Sequence, residues 1–346
     1  MTTKTSIPSA LCALAAATAL CGCQPEKPTL HLYTWANYMS DEVVAQFEAD
    51  HHCHVAIDTF DTNEAMYARL MTSTTDYDLV FPSSYMAKLM EEDGMLLPLD
   101  HALLPNLKHV DPKFLAMSFD QDMRVSVPYS VTITGIGYLA ELGNPEPTWA
   151  LFERADLKNR ISILDDYRET IGAALKFLGY SVNSTDDAQL AEAKEVVKRW
   201  KKNAAIFDNE QYNDGLAKGK YALTHGYSGD IKLAQGKNPD VRFLVPREGA
   251  CLSCDDMVIP KSAPHPELAH AFINTILDPA TSAQLMQDIW YLCPNVPAYD
   301  LLPEEFHQDP IFFPPADIVT KLEMIDEIGA DNAKYVKLWA EIKAED

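Results

Sequence analysis

The strongest constraint on the fold lies between Thr29 and Tyr85, where the hydrophobic period switches back and forth between that of a strand and that of a helix. Thr29–Tyr33 alternates as a half-buried strand does. Ser40 is placed to cap a helix with Asp41 and Glu42 in its first turn and Val43, Val44 and Phe47 on its inner face. His54–Phe60 reads as a second strand, Thr62–Met71 as a helix with Met66 and Leu70 four apart, and Tyr77–Phe81 as a third strand. Pro82–Tyr85 is the loop after that strand, with Ser84 as cap of the next helix. A β-α-β-α-β alternation predicts an α/β protein with a mostly parallel sheet. Sheets of that kind present side chains to a cleft at the C-terminal ends of their strands.

A chain of 346 residues is too long for one small core and suits two domains. Val125–Tyr129 and Ile133–Leu139 read as two strands that carry the chain out of its first unit. Pro145-Glu-Pro147 opens a second unit. This unit holds a helix over Asp187–Trp200, with Leu190, Ala193, Val197 and Trp200 on one stripe, and strands near Ala222 and over Val241–Pro246. Asp256–Pro260 is strand-like again. Helices follow over Pro266–Leu277, with Pro at its first position, and Thr281–Ile289. The tail from Asp317 to Lys343 reads as helical.

One stretch concentrates chemistry. Ile161–Leu164 is a short buried strand, Asp165 and Asp166 follow, and Arg168-Glu169-Thr170 open an apolar helical run. Asp166 and Glu169 are three apart, so on a helix start their carboxylates share a face, and two carboxylates at a cleft suit a cation. Acidic residues also favour helix N-termini simply because they cap free N–H groups and complement the dipole. Both readings stand at this point.

The front end is a targeting segment. Lys4 supplies the positive charge, and Ala10–Leu20 is an apolar stretch too short to span a membrane. It ends in Leu20-Cys21-Gly22-Cys23, which looks like a bacterial lipobox with Cys23 as the lipidated first residue of the mature chain. The expectation is a signal peptide over 1–22, a tether over 23–29, and a soluble body held to a membrane by lipid. Net charge is −23, which argues against nucleic acid as a partner, because phosphate binding needs a basic patch. Cleavage and lipidation leave Cys53, Cys251, Cys254 and Cys293. Cys251-x-x-Cys254 lacks a second paired motif, and buried free thiols or a disulfide suit it better than zinc or redox chemistry.

Other motifs fail on context. Gly135-Ile-Gly137 has no helix after it, since Gly143-Asn144-Pro145 intervenes. Gly226-Tyr-Ser228-Gly229 has Asp230 where a nucleophile elbow needs Gly. His51, His52 and His54 near Cys53 suit a solvated loop better than a metal site. No nucleophile, base and orienter assemble, so no enzyme, cofactor or metal is expected. What remains is a set of aromatics and carboxylates at strand ends: Trp35, Tyr38, Ser83, Tyr85, Asp166, Glu169, Tyr227, Asp255 and Tyr291. A protonated polyamine packs its methylenes on aromatic faces and directs its N–H groups at carboxylates, and this set suits it. Trp35 and Tyr38 suit a core equally well.

From Leu30 onward the chain resembles the spermidine/putrescine-binding, PotD-like proteins of bacterial ABC importers. The segments that carry this are Tyr33-Thr-Trp35-Ala-Asn-Tyr38, Asn63–Leu70, Tyr77–Tyr85, Val127-Pro-Tyr129, Asp165–Glu169 and Tyr291-Leu-Cys-Pro294-Asn295. The resemblance implies a two-lobed periplasmic binding protein of type II, with lobe 1 over 30–135 and 256–300 and lobe 2 over 136–255 and 301–346. It implies an extracytoplasmic solute-binding lipoprotein that captures spermidine or putrescine by hinge closure and hands it to an ABC permease. Trp35, Tyr38, Ser83 and Tyr85 would line the pocket from one lobe, Asp166, Glu169 and Tyr227 from the other. Asp255 would hold an amine near the crossing, and Tyr291 would add a wall. Three positions depart from the family pattern: Asn37 stands where an acid is frequent, Ser253 where Trp is common, and Ile325 where Gln is found. The alternatives are the same fold binding another small organic cation or amino-acid-like ligand, and a Cys-dependent enzyme.

Overall fold

The computed structural model describes Met1 and residues 27–72 and 76–344. The signal segment, Cys23 and tether residues 24–26 lie outside the described residues. Ten strands are described: β1 (Thr29–Trp35), β2 (His54–Phe60), β3 (Leu79–Val80), β4 (Ser126–Leu139), β5 (Ile161–Ile163), β6 (Ala204–Phe207), β7 (Leu223–Tyr227), β8 (Val241–Leu244), β9 (Ala250–Val258) and β10 (Leu322–Met324). They hydrogen-bond in the order β2-β1-β3-β9-β4-β7-β5-β6, with β10 added on β9 and β8 on β4.

The ends of this order are parallel and its middle is antiparallel. β1 pairs in parallel with β2 and β3, and β5 with β6 and β7. Each set grows from helical crossovers, as the sequence alternation requires. The Asp41–His51 helix that links β1 to β2 starts as expected, with Ser40 Oγ accepting from the Val43 N–H at 3.3 Å and Val43 and Phe47 buried. The expectation of a mostly parallel sheet is corrected at the centre, where β4 and β9 run antiparallel to each other and to their neighbours β7, β8 and β3.

β4 is also one strand rather than two. Ser126–Ile133 pairs with β9, and Thr134–Leu139 pairs with β7 and β8. All its residues are buried, so no solvent-facing alternation marks its path, and Ser130 and Thr132 interrupt an otherwise apolar reading. β4 thus ties together two hydrophobic cores. One holds Leu30, Phe47, Val127, Met257 and Phe272; the other holds Ile136, Trp149, Ile171, Trp200 and Tyr335. The expected stripe on the Asp187–Lys201 helix is buried in the second core at Leu190, Ala193, Val197 and Trp200.

The tail departs from its expected all-helical path. Leu302, Phe306, Ile311 and Phe312 pack into the first core. β10 then adds in parallel to β9, and the Asn332–Ala344 helix buries Tyr335, Leu338 and Ile342 in the second core. Among the described residues no helix is long and apolar enough to cross a membrane.

Candidate functional site

Most candidate residues sit where a strand gives way to a turn or helix; Asp255 lies within β9, and Tyr291 follows the Pro279–Ile289 helix. β1 ends at Trp35, and Asn37 takes a left-handed φ of 56° in the turn that brings Tyr38 back. Asn tolerates that conformation because its short side chain bonds locally. After β3, Ser83 occupies the cap position of the Ser84–Glu92 helix, where Ser84 was expected. Ser83 makes no capping bond, because its hydroxyl goes to Asp255 instead. Ser84 lies against Asp256. After β5, Asp166 caps the Tyr167–Phe177 helix, its Oδ1 accepting from the N–H groups of Arg168 at 2.8 Å and Glu169 at 3.1 Å. Asp166 thus caps the helix, as its residue type favours. After β7, Tyr227 precedes the Ser228–Lys237 helix. On β9, Ser253 and Asp255 are two apart and share a face.

All nine residues, Trp35, Tyr38, Ser83, Tyr85, Asp166, Glu169, Tyr227, Asp255 and Tyr291, line one cavity of about 450 Å3. That is the size of a small-ligand site. The departures Asn37, Ser253 and Ile325 line it too. Tyr38 packs edge-on to Tyr291 at 5.2 Å, and Trp35 leans on Phe60 at 4.3 Å. Tyr291 fits only because residue 229 is glycine: a Cβ there would lie 2.5 Å from the ring.

Carboxylates dominate the polar wall. Asp255 accepts from Tyr38 OH at 2.5 Å on one oxygen and from Ser83 Oγ at 2.7 Å on the other. Glu169 accepts from Ser253 Oγ at 2.6 Å and from Thr134 Oγ1 at 2.9 Å. Asp166 has Tyr227 OH 3.5 Å from its second oxygen. Burial pushes the Asp255 carboxyl up to about 6, against the opposing hydrogen bonds from Tyr38 and Ser83. Asp166 and Glu169 are both pushed up by burial, and each charge resists the other, so they titrate as a pair.

Sequence reasoning missed several lining residues, Asp230, Thr132 and Arg168 among them. Asp230 was noted only as the residue that spoils a nucleophile elbow. It lines the cavity, accepts from Tyr212 OH at 2.7 Å, and is pushed up to about 6 by burial. Its place three residues after Tyr227, at the same strand-to-helix junction type as Asp166, was the available signal. Thr132 lines the cavity from β4, cross-strand to Ser253. Arg168 is the one basic side chain on the wall, against six carboxylates (Asp61, Asp166, Glu169, Glu210, Asp230 and Asp255). Its guanidinium lies between the rings of Tyr85 and Tyr335, 5.5 and 5.1 Å from their centroids, and donates to Asn183 Oδ1 at 2.8 Å. The wall as a whole is built to receive positive charge alongside apolar chain.

Cys53, Cys251, Cys254 and Cys293 are free and buried, which removes the disulfide option for Cys251 and Cys254. Burial pushes both thiols well above the ordinary range, away from the reactive thiolate. Among the described residues no group of three or more His, Cys, Asp or Glu is arranged to hold a metal.

Residues 42–314 match the family model of the bacterial extracellular solute-binding proteins. The chain belongs to that family. Among solute-binding proteins it is 30% identical over 320 residues to spermidine/putrescine-binding periplasmic protein 1 of Haemophilus influenzae, covering 91% of this chain and 89% of the relative. It is 32% identical over 329 residues to the putrescine/cadaverine-binding protein of Pseudomonas aeruginosa, covering 91% and 93%. The solved spermidine/putrescine ABC transporter substrate-binding protein PotD of Streptococcus pneumoniae superposes with a TM-score of 0.80 at 32% identity, over 92% of this chain and 99% of that one. The TpPotD lipoprotein of Treponema pallidum superposes at 0.81 with 29% identity, over 91% and 99%. The solute-binding fold is thus that of a type II periplasmic binding protein, and the family is extracytoplasmic.

Proposed function

We propose that this solute-binding protein captures a linear polyamine, spermidine or putrescine, and delivers it to the permease of an ABC importer. The observation that carries the reading is the wall of the cavity, where six carboxylates and one guanidinium stand among aromatic rings. An ammonium group gains from a desolvated carboxylate that hydrogen bonds already hold in place, and methylenes gain from ring faces. In this reading Asp255 takes one ammonium group between Tyr38 and Ser83. Asp166 and Glu169 take another, with Asp230 beside them. Trp35, Tyr85, Tyr227 and Tyr291 enclose the chain between.

Capture works by hinge closure about β4 and β9, with lobe 1 over 30–135 and 256–300 and lobe 2 over 136–255 and the C-terminal end. Packing of Leu302 through Phe312 in the first core favours moving the last crossing beyond Phe312. Closure adds contacts that the open state lacks, which is what lets a ligand shift the equilibrium. Cys23 carries the lipid that holds the protein at the membrane, and C23A releases it into the soluble fraction. The reading assigns the protein binding and no catalysis, and the burial of Cys53, Cys251, Cys254 and Cys293 supports it.

Thermal unfolding tests the ligand class. Spermidine and putrescine each raise the melting temperature of the purified protein, whereas choline and lysine leave it unchanged. A shift with choline or lysine and none with either polyamine overturns the reading.

A further inference from the structure

A second cavity, of about 510 Å3, opens beside the first and shares Trp35, Asn37, Tyr38 and Thr59 with it. Its remaining wall carries three acids, Asp41 and Glu42 from the start of one helix and Asp288 near the end of another, beside Met39 and Ile57. Asp288 is held in place, accepting from Ser40 Oγ and, at 2.9 Å, from Gln284 Nε2. No basic side chain lines this cavity, and among the described residues none of the three acids forms an ion pair. Complementing a helix dipole accounts for Asp41 and Glu42 alone. It does not account for Thr34, which is 1% exposed, lines the same cavity, and has a hydroxyl without a hydrogen-bond partner. A buried hydroxyl left unpaired costs free energy, and such atoms at a cavity mark where a ligand completes the bonding. The indole N–H of Trp35, on the shared wall, also lacks a partner. Asn37, on the turn that lines both cavities, is uncharged, and the acids of the second cavity are Asp41, Glu42 and Asp288.

We propose that the second cavity extends the polyamine site and receives a terminal ammonium group of a linear polyamine longer than a diamine. This rests on the reading of the principal cavity given above. The other ammonium groups of the ligand lie with Asp255, Asp166 and Glu169, and its chain passes Trp35 and Asn37. The far ammonium group donates to the acidic wall and to Thr34 Oγ1. A diamine fills the principal cavity alone and gains nothing from the second.

Calorimetric titration of the purified protein with putrescine and with spermine tests this, in wild type, in D41N/E42Q/D288N and in T34V. The three acids are exposed, so neutralising them leaves the cores intact, and T34V exchanges an unpaired buried hydroxyl for a methyl group. The triple variant weakens spermine binding about tenfold and leaves putrescine within about twofold. T34V likewise weakens spermine and spares putrescine. Variants that weaken both amines alike, or neither, overturn the extension while wild-type binding upholds the principal site. A wild-type protein that binds neither amine overturns the principal reading and the extension with it.

Discussion

Ser83 Oγ lies 2.7 Å from Asp255 Oδ1 and donates to it, across an isolated bridge that joins their backbones. A serine at a helix cap position normally serves the helix. This one serves a carboxylate from a strand distant in sequence, and Tyr38 OH occupies that carboxylate's other oxygen at 2.5 Å. Asp255 is therefore fixed in orientation before any ligand arrives, which lowers the ordering cost of binding.

Changing Asp255 to Asn keeps the shape of that junction and removes its charge. Polyamine affinity drops by about 2 kcal/mol or more, roughly thirtyfold, because the charge pair in the closed site is desolvated. S83A weakens affinity by about 1 kcal/mol through loss of one positioning bond, and leaves the Ser84–Glu92 helix intact because no capping bond is lost. Calorimetry and circular dichroism measure the two effects. Unchanged affinity in D255N removes Asp255 from the site.

The cavity carboxyls predict opposite pH trends for empty and loaded protein. Asp255 and Asp230 sit at about 6 and the Asp166/Glu169 pair is raised, all by burial. Their folded values exceed the unfolded ones, so the stability they confer is fully present below the unfolded carboxylate range and is lost as pH rises through about 6. The empty protein thus melts higher at pH 5 than at pH 8 on their account. A bound ammonium group favours the charged form, so affinity is high at pH 8, falls as pH drops through about 6, and binding near pH 6 releases protons. Melting curves and titrations in buffers of different ionisation heat read both trends. Affinity that rises on acidification contradicts the assignment.

Glu169 accepts from Ser253 and Thr134, and both bonds favour its charged form. S253A removes one of them and raises the carboxyl further. Affinity in S253A is lost more severely at pH 6 than at pH 8, whereas a purely steric role for Ser253 gives equal losses at both.

Much of this architecture was legible in the sequence, for identifiable reasons. β1 and the Asp41–His51 helix follow the periodicity of half-buried elements, and Ser40 caps as its residue type demands. That nine residues would meet at one cavity came from the family resemblance, because aromatic and acidic residues at strand ends suit a core or a helix cap equally well; all nine do line it. β4 was split because a strand buried on both faces has no polar side to follow. β10 was read as helix because three residues added to a sheet edge carry too little pattern of their own. Asp230 was missed because its role depends on which strands become neighbours, which local pattern does not contain.

Gly229 tests the packing behind the site. Alanine there suits a helix better, yet its Cβ would meet the Tyr291 ring at 2.5 Å. G229A therefore destabilises the wild-type chain by about 1–3 kcal/mol and costs little in a Y291A chain, where the ring it would meet is gone. Thermal melts of the single and double variants measure the coupling, and independent, additive effects contradict the contact.

The measurement that tests the central claim most directly is calorimetric titration of the purified protein with spermidine and with putrescine side by side. Saturable one-to-one binding of at least one of them, weakened by D255N, is the result expected of a polyamine-binding protein. No heat and no thermal shift with either amine would contradict it.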